Sequence, residues 1–258
     1  MAVATVSAGS NRDCAQALSV RQKGIVVAGK PIAVVVGATG GIGRSVVNLL
    51  ADGYALCLAG RDAVALKSMV TELPDAFHWQ VDLATSEGIG LVPPELAEVD
   101  LLVHCAGVFE RDTIIATPDE VWRDVFAVNF FGVVEMTRNL LPALRAARGR
   151  VILVNSTVVA GSPAGRSAYA ASKHALRVFA QALRQEEMGN GVRVTSIYPG
   201  RVATDMQRIV RRFEGGPFES ERYLAPDSVA SAMFFVLSAP PGTHLADMVL
   251  EPTDPAIS

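Results

Sequence analysis

Apolar residues in this chain concentrate in short segments, separated by longer stretches with helical spacing. The segments are Ile32–Val36, Tyr54–Ala59, Ala76–Val81, Asp100–His104, Val151–Asn155, Val192–Tyr198 and Leu245–Leu250. Segments this short, rich in apolar residues and most clearly so at Ile32–Val36, predict strands of a buried sheet. Ile42–Ala51, Asp62–Glu72, Pro118–Ala147, Ser167–Met188 and Pro226–Leu237 carry the helical spacing. Asp62 is a candidate N-cap, and Pro118 suits a first helical turn. Pro142 is a place for the long helix to bend or end. Thr85–Val99 is irregular, and Pro199 to Ala225 predicts a polar loop. The alternation predicts an α/β fold: a doubly wound parallel sheet of about seven strands, in one domain over 31–258. Residues 1–30 lack both periodicities and the basic-then-apolar order of a secretory signal. They are expected to form a flexible extension.

Half of the 258 residues are hydrophobic and 19% are charged, enough apolar material for a real core. Mean hydropathy is +0.31, which raises the question of a membrane. The longest stretch free of Asp, Glu, Lys and Arg, Ser228–Ala246, is broken by Pro240, Pro241 and Gly242. Its apolar part gives about 13 Å of helix against a hydrocarbon core of about 30 Å. No membrane partner is expected, and buried strands account for the hydropathy. A net charge of −3 argues against coating nucleic acid. The three cysteines, Cys14, Cys57 and Cys105, suit a reducing, cytoplasmic setting. The four histidines form no ligand spacing, so no metal is expected.

Gly37-Ala38-Thr39-Gly40-Gly41-Ile42-Gly43 lies between the first predicted strand and helix. Glycines there let the backbone turn sharply toward a pyrophosphate, while the helix start offers free N–H groups. The competing reading is a βα turn that holds no ligand. At the end of the second strand an acidic residue would meet a ribose 2′-hydroxyl, and an arginine a 2′-phosphate. Here Gly60 is followed by Arg61, which favours NADP(H) over NAD(H). Arg61 as a plain solvated residue is the alternative.

Tyr169 and Lys173 stand four apart on a predicted helix, hence on one face. A phenol with a reference pKa of about 10 exchanges protons poorly near neutrality, and a neighbouring cation favours the phenolate. Ser156 follows the fifth strand, where ligands of an open parallel sheet bind. Thr157 and Ser162 compete with it on chemistry alone.

These features, with Asp82-Leu83, Ala106-Gly107, Asn129 and Pro199-Gly200…Thr204, resemble the short-chain dehydrogenase/reductase family from about Pro31 to Pro252. The thirteen-residue offset to Tyr169 in that family selects Ser156 over Thr157. The resemblance implies a Rossmann-type fold in which Tyr169 is the general acid/base and Lys173 lowers its pKa and holds the nicotinamide ribose. Ser156 would polarise the carbonyl, and Asn129 would sustain a water relay behind Lys173. Gly37, Thr39, Gly40, Gly41, Ile42 and Gly43, with Arg61, would hold the phosphates. Asp82 and Leu83 would meet the adenine, and Ala106 and Gly107 would let the backbone come close. Pro199, Gly200, Val202 and Thr204 would line the carboxamide. Two positions depart from the family: His104-Cys105 stands where Asn-Asn is usual, and Val36 where threonine is common.

The resemblance implies an NADP(H)-dependent oxidoreductase interconverting a ketone and a secondary alcohol. A silent nucleotide-binding regulator or scaffold, and a non-redox epimerase or lyase, are the alternatives. A homodimer or homotetramer through the two long helices is expected. The loop around Arg208, Arg211 and Arg212 reads as an amphipathic lid, in which one arginine could meet an anionic substrate.

Overall fold

The computed structural model describes residues 29–161 and 164–254. The expected extension lies almost wholly outside the described residues, and so does Ser162. Seven strands form one sheet: β1 (Ile32–Val36), β2 (Ala55–Gly60), β3 (Ala76–Gln80), β4 (Leu101–His104), β5 (Arg150–Val154), β6 (Arg193–Pro199) and β7 (Asp247–Leu250). Their order is β3-β2-β1-β4-β5-β6-β7, and every pairing is parallel. The order reverses between β1 and β4, and that is the crevice where such sheets bind ligands. Each expected strand is present, β1 with the expected ends and the others with ends shifted by at most two residues.

Alternation along the strands explains the apolar runs. Val34 and Val36 of β1 face one core with Cys57, Leu102 and Leu153, whereas Ala33 and Val35 face the other with Leu56, Val103 and Ile152. Helices α1 (Gly41–Leu50), α2 (Ala63–Thr71) and α7 (Pro226–Leu237) cover the second face, through residues such as Val46, Leu66 and Val229. Helices α4 (Gly132–Ala147) and α5 (Ser167–Glu187) cover the first, through Met136, Leu140 and Leu176. Two buried faces leave no polar side to the strands.

The predicted helix Pro118–Ala147 is divided. α3 (Asp119–Phe126) passes through a π-turn at Ala127–Phe131 into α4. Pro118 is the N-cap rather than a first-turn residue, and Pro142 lies inside α4 without ending it. Leu140, Ala143 and Leu144 are buried around that proline, and their packing holds the helix through it. Asp62 caps α2 as expected, accepting from the Ala65 N–H at 3.0 Å.

The loop expected over 199–225 contains a helix, α6 (Asp205–Glu214). Thr204 caps it, Asp205 lies in its first turn, Arg211 and Arg212 lie in its last, and Gly215 closes it at φ +71°. Both ends are thus charge-matched to the helix dipole. The dense polar residues hid its periodicity.

Among the described residues no helix is long and apolar enough to cross a membrane, and no three potential metal ligands gather. Of the apolar residues on the long helices, Leu183 is buried, whereas Val178 is exposed and so is Phe131, which joins the ring cluster of Phe126, Phe130 and Phe179.

Candidate active site

At the β1–α1 turn Gly37 has φ +80°, and a Cβ there would come 2.6 Å from the Ala106 nitrogen. The backbone of Ala106-Gly107 can approach only because that side chain is missing. No side chain caps α1 at Gly40, and its first backbone bond runs from the Arg44 N–H to the Gly40 oxygen. The N–H groups of Gly41, Ile42 and Gly43 are left for an anion. A Cβ on Gly41 would meet Thr204, so the loop after β6 closes over the same turn. This cradle fits a dinucleotide pyrophosphate. A Cβ on Gly43 would overlap the Gly37 carbonyl oxygen, so the helix must shift in Gly43→Ala. That variant is expected to lose about 1–3 kcal/mol and at least tenfold in cofactor affinity, read by urea unfolding and cofactor titration.

A cavity of about 930 Å³ opens beside the turn at the carboxyl ends of β4, β5 and β6. Ile42, Ala106, Gly107, Ser156, Tyr169 and Lys173 line it, as do Pro199, Gly200, Val202 and Thr204. The sequence-predicted nicotinamide end is therefore gathered in one place. Ser156 begins the turn after β5, its Oγ accepting from the Val158 N–H at 3.2 Å. Tyr169 lies on the first turn of α5, its ring edge-on to Phe109 at 5.2 Å. Burial pushes the Tyr169 phenol up, while a hydrogen bond to Ser156 and the charge of Arg166 pull it down. Lys173 is one turn further along α5, with Nζ 5.9 Å from the Tyr169 ring centroid. It donates to the Val154 carbonyl at 2.9 Å, and burial lowers its pKa to about 8. Arg166, a residue the sequence did not single out, adds a second positive charge to the surroundings of the Tyr169 phenol.

Asn129 is fully buried in the π-turn. Its Oδ1 accepts from the Val108 N–H at 2.8 Å, and its Nδ2 donates to the Val108 carbonyl and to Ser172 Oγ. It joins the loop after β4 to α5, next to Lys173. His104 repairs part of the departure from the family pattern. Its Nε2 lies 3.0 Å from Thr137 Oγ1, whose own hydroxyl donates to Val133, so Nε2 carries the hydrogen. Burial and then Lys173 lower its pKa to about 3, so it is neutral. Burial raises the Cys105 thiol to about 12, against Lys173, which makes it a poor nucleophile.

The adenosine-side residues are more dispersed. Arg61 is exposed just past β2. Asp82 Oδ1 accepts from the Ala84 N–H at 2.9 Å, a turn-capping role. Leu83 is buried against Gly132, so its side chain serves the core and only its backbone could meet a ligand. Sequence reasoning missed Phe109, Arg166, Arg201 and Glu214. Arg201 lies inside the Pro199…Thr204 motif and was findable there. Arg166 and Glu214 are joined only by folding, being 48 residues apart.

The fold and site define a Rossmann-type dinucleotide fold with serine, tyrosine and lysine side chains converging beside its phosphate turn. A model of the short-chain dehydrogenase family matches residues 31–215. The chain belongs to the short-chain dehydrogenase/reductase family. It is 31% identical over 240 residues to glycine betaine reductase ATRR of Emericella nidulans, covering 88% of this chain and 19% of that protein. It is 35% identical over 191 residues to dehydrogenase/reductase SDR family member 7B of Xenopus laevis, covering 68% of this chain and 59% of the relative. The chain thus spans less than two thirds of each of these two relatives. An alcohol dehydrogenase from the archaeon Thermococcus sibiricus, solved with 5-hydroxy-NADP, superposes with a TM-score of 0.78 at 25% identity, over 87% of this chain and 97% of that one.

Proposed function

We propose that this protein is an NADP(H)-dependent oxidoreductase that interconverts a ketone and a secondary alcohol. The observation that carries the reading is the convergence of Ser156, Tyr169 and Lys173 on one cavity bordered by the glycine turn. When bound, the nicotinamide would supply or accept the hydride. The Tyr169 phenol donates a proton to the carbonyl oxygen in reduction and takes it back in oxidation. Ser156 hydrogen-bonds both Tyr169 and the substrate oxygen, which aligns the two. Lys173 holds the ribose hydroxyls and adds positive charge near the phenol. Asn129 fixes the Val108 backbone and Ser172, and through them the setting of Lys173. Gly41, Ile42 and Gly43 bind the pyrophosphate by their N–H groups. The aromatic cluster with exposed Phe131 and Val178 supports a homodimer or homotetramer through α3–α4 and α5. A cytoplasmic location belongs to the same reading.

Arg61 supports NADP(H) over NAD(H), and the archaeal neighbour was solved with an NADP derivative. The test supplies a panel of ketones with NADPH and with NADH and follows the absorbance of the reduced nicotinamide. NADPH oxidation by at least one ketone is expected. In Arg61→Ala, KM for NADPH is expected to rise about tenfold, with NADH little changed, because one charge-assisted contact to a phosphate is lost. Equal use of both cofactors by the native protein would remove the NADP preference. NADPH binding without turnover of any ketone would remove the redox reading.

A further inference from the structure

Four guanidinium groups close on one carboxylate at the edge of the cavity. Arg201 grips Glu214 with both terminal nitrogens at 2.8 Å, Arg166 Nη2 reaches it at 2.8 Å, and Arg211 Nη1 at 2.5 Å. Arg111 Nη1 stands 3.9 Å away. The four come from separate elements: the loop after β4, the start of α5, the loop after β6, and α6. Among the described residues, Glu214 is the only carboxylate within 4 Å of any of them. The cluster therefore carries three positive charges in excess. Protonation does not change Glu214 near neutrality. Burial would raise it, but its bonds to Arg201 and Arg211 prevail and hold its pKa at about 2.

Two of the four arginines face the reacting groups. Arg166 and Arg201 line the same cavity as Tyr169. The Arg166 guanidinium sits 5.9 Å from the Phe109 ring, which in turn packs on Tyr169. Arg166 Nε and Arg111 Nη1 are buried without a hydrogen-bond acceptor. A buried donor left so is costly, more so when charged. Of the two cavity acids, Asp247 is already engaged by Arg184 and the Tyr198 hydroxyl, and Glu251 is exposed and pairs with none of the four arginines within 4 Å. Of the lid arginines, Arg208 pairs with Asp205 and lies over Phe218, and Arg212 is exposed; neither lines the cavity.

We propose that this arginine cage selects substrates bearing a carboxylate, so that the reaction interconverts a keto acid and a hydroxy acid, with Arg166 the specificity-determining residue. The proposal rests on the oxidoreductase reading and names its substrate class. The carbonyl carbon gains a hydride from the reduced nicotinamide, which leaves oxidised; the oxygen gains a proton, and the carboxylate is unchanged. A carboxylate is favoured over a phosphate because the cage already holds one, Glu214, in the planar fork that guanidinium and carboxylate share.

The test takes straight-chain and aryl 2-, 3- and 4-keto acids, each with its methyl ester, and a keto phosphate of matching length. For at least one acid, kcat/KM is expected to exceed that of its ester by about 10–100-fold, the strength of a hydrogen-bonded charge pair. In Arg166→Met the acid-to-ester ratio should collapse toward one, a comparison in which any effect of the lost charge on Tyr169 cancels because both substrates share it, and Arg166→Lys should restore part of the ratio. A wild type that turns over esters as well as acids, or prefers the phosphate, overturns the proposal. So does a ratio that survives in Arg166→Met. Calorimetry with NADPH bound compares each hydroxy acid with its amide, so carboxylate selection is decided even if no ketone is reduced. Equal binding of acid and amide there also overturns it. Absence of turnover alone counts against the oxidoreductase reading instead.

Discussion

Tyr169→Phe is expected to keep the fold and cofactor binding and to lower kcat by about 10²–10⁴-fold, the range that a positioned general acid contributes. The ring keeps its edge contact with Phe109, and the substitution removes one oxygen. Its partner, Ser156, retains the Val158 N–H, so the stability change stays within about 1 kcal/mol. Substrate KM should move little, because Ser156 and the cavity wall are unaltered. Steady-state rates with a good ketone and NADPH, beside a thermal melt, check both halves. Retention of full turnover would show that the proton comes from elsewhere.

The same phenol fixes a direction for pH. Burial raises its pKa, so it remains protonated through neutrality. Reduction, which needs the proton, should be flat near neutrality and fall only in the alkaline range. Oxidation, which needs the phenolate, should rise over that range. Removing the Arg166 charge takes away one of the effects that lower the pKa, so both limbs should shift to still higher pH in Arg166→Met.

The sheet was legible because its signal is local. Five apolar residues in a row, as in Ile32–Val36, have no other economical place than a strand covered on both sides. The glycine turn was legible for a similar reason: Gly37, with its positive φ, and Gly43, without room for a Cβ, act where they stand in the chain. The helix at Asp205–Glu214 was not legible, because its inward residues, Gln207 and Val210, are few and one is polar. Its stability comes from Thr204, Gly215 and contacts that exist only after folding. The acid/base pair could be named from its spacing, but its electrostatics could not. Arg166 lies three residues before Tyr169, and its charge matters only because Phe109, from the loop after β4, and Glu214, at the end of α6, set where it points.

Lys173→Met should abolish useful turnover, by at least about 10²-fold, and yet make the protein more stable at pH 7. Lys173 is buried, and its pKa falls from the ordinary 10.5 to about 8, chiefly by loss of water. An unfolded chain therefore holds this proton more tightly than the native one. Between about pH 8 and 10.5 the native state has released it and the unfolded state has not, so stability rises with pH through that window. Below pH 8 both states are charged, and the native state bears the full burial cost, on the order of 3 kcal/mol. Methionine removes that cost but leaves the Val154 carbonyl without its donor, a loss of about 1 kcal/mol. A net gain of about 1–2 kcal/mol at pH 7 is expected, fading between about pH 8 and 10.5 as the native lysine releases its proton. Urea unfolding of both proteins at pH 7 and pH 10 measures it. A variant that is less stable at pH 7 would mean that the ammonium is better solvated inside than its single carbonyl bond provides. The combination of lost rate and gained stability separates a lysine kept for chemistry from one kept for the fold.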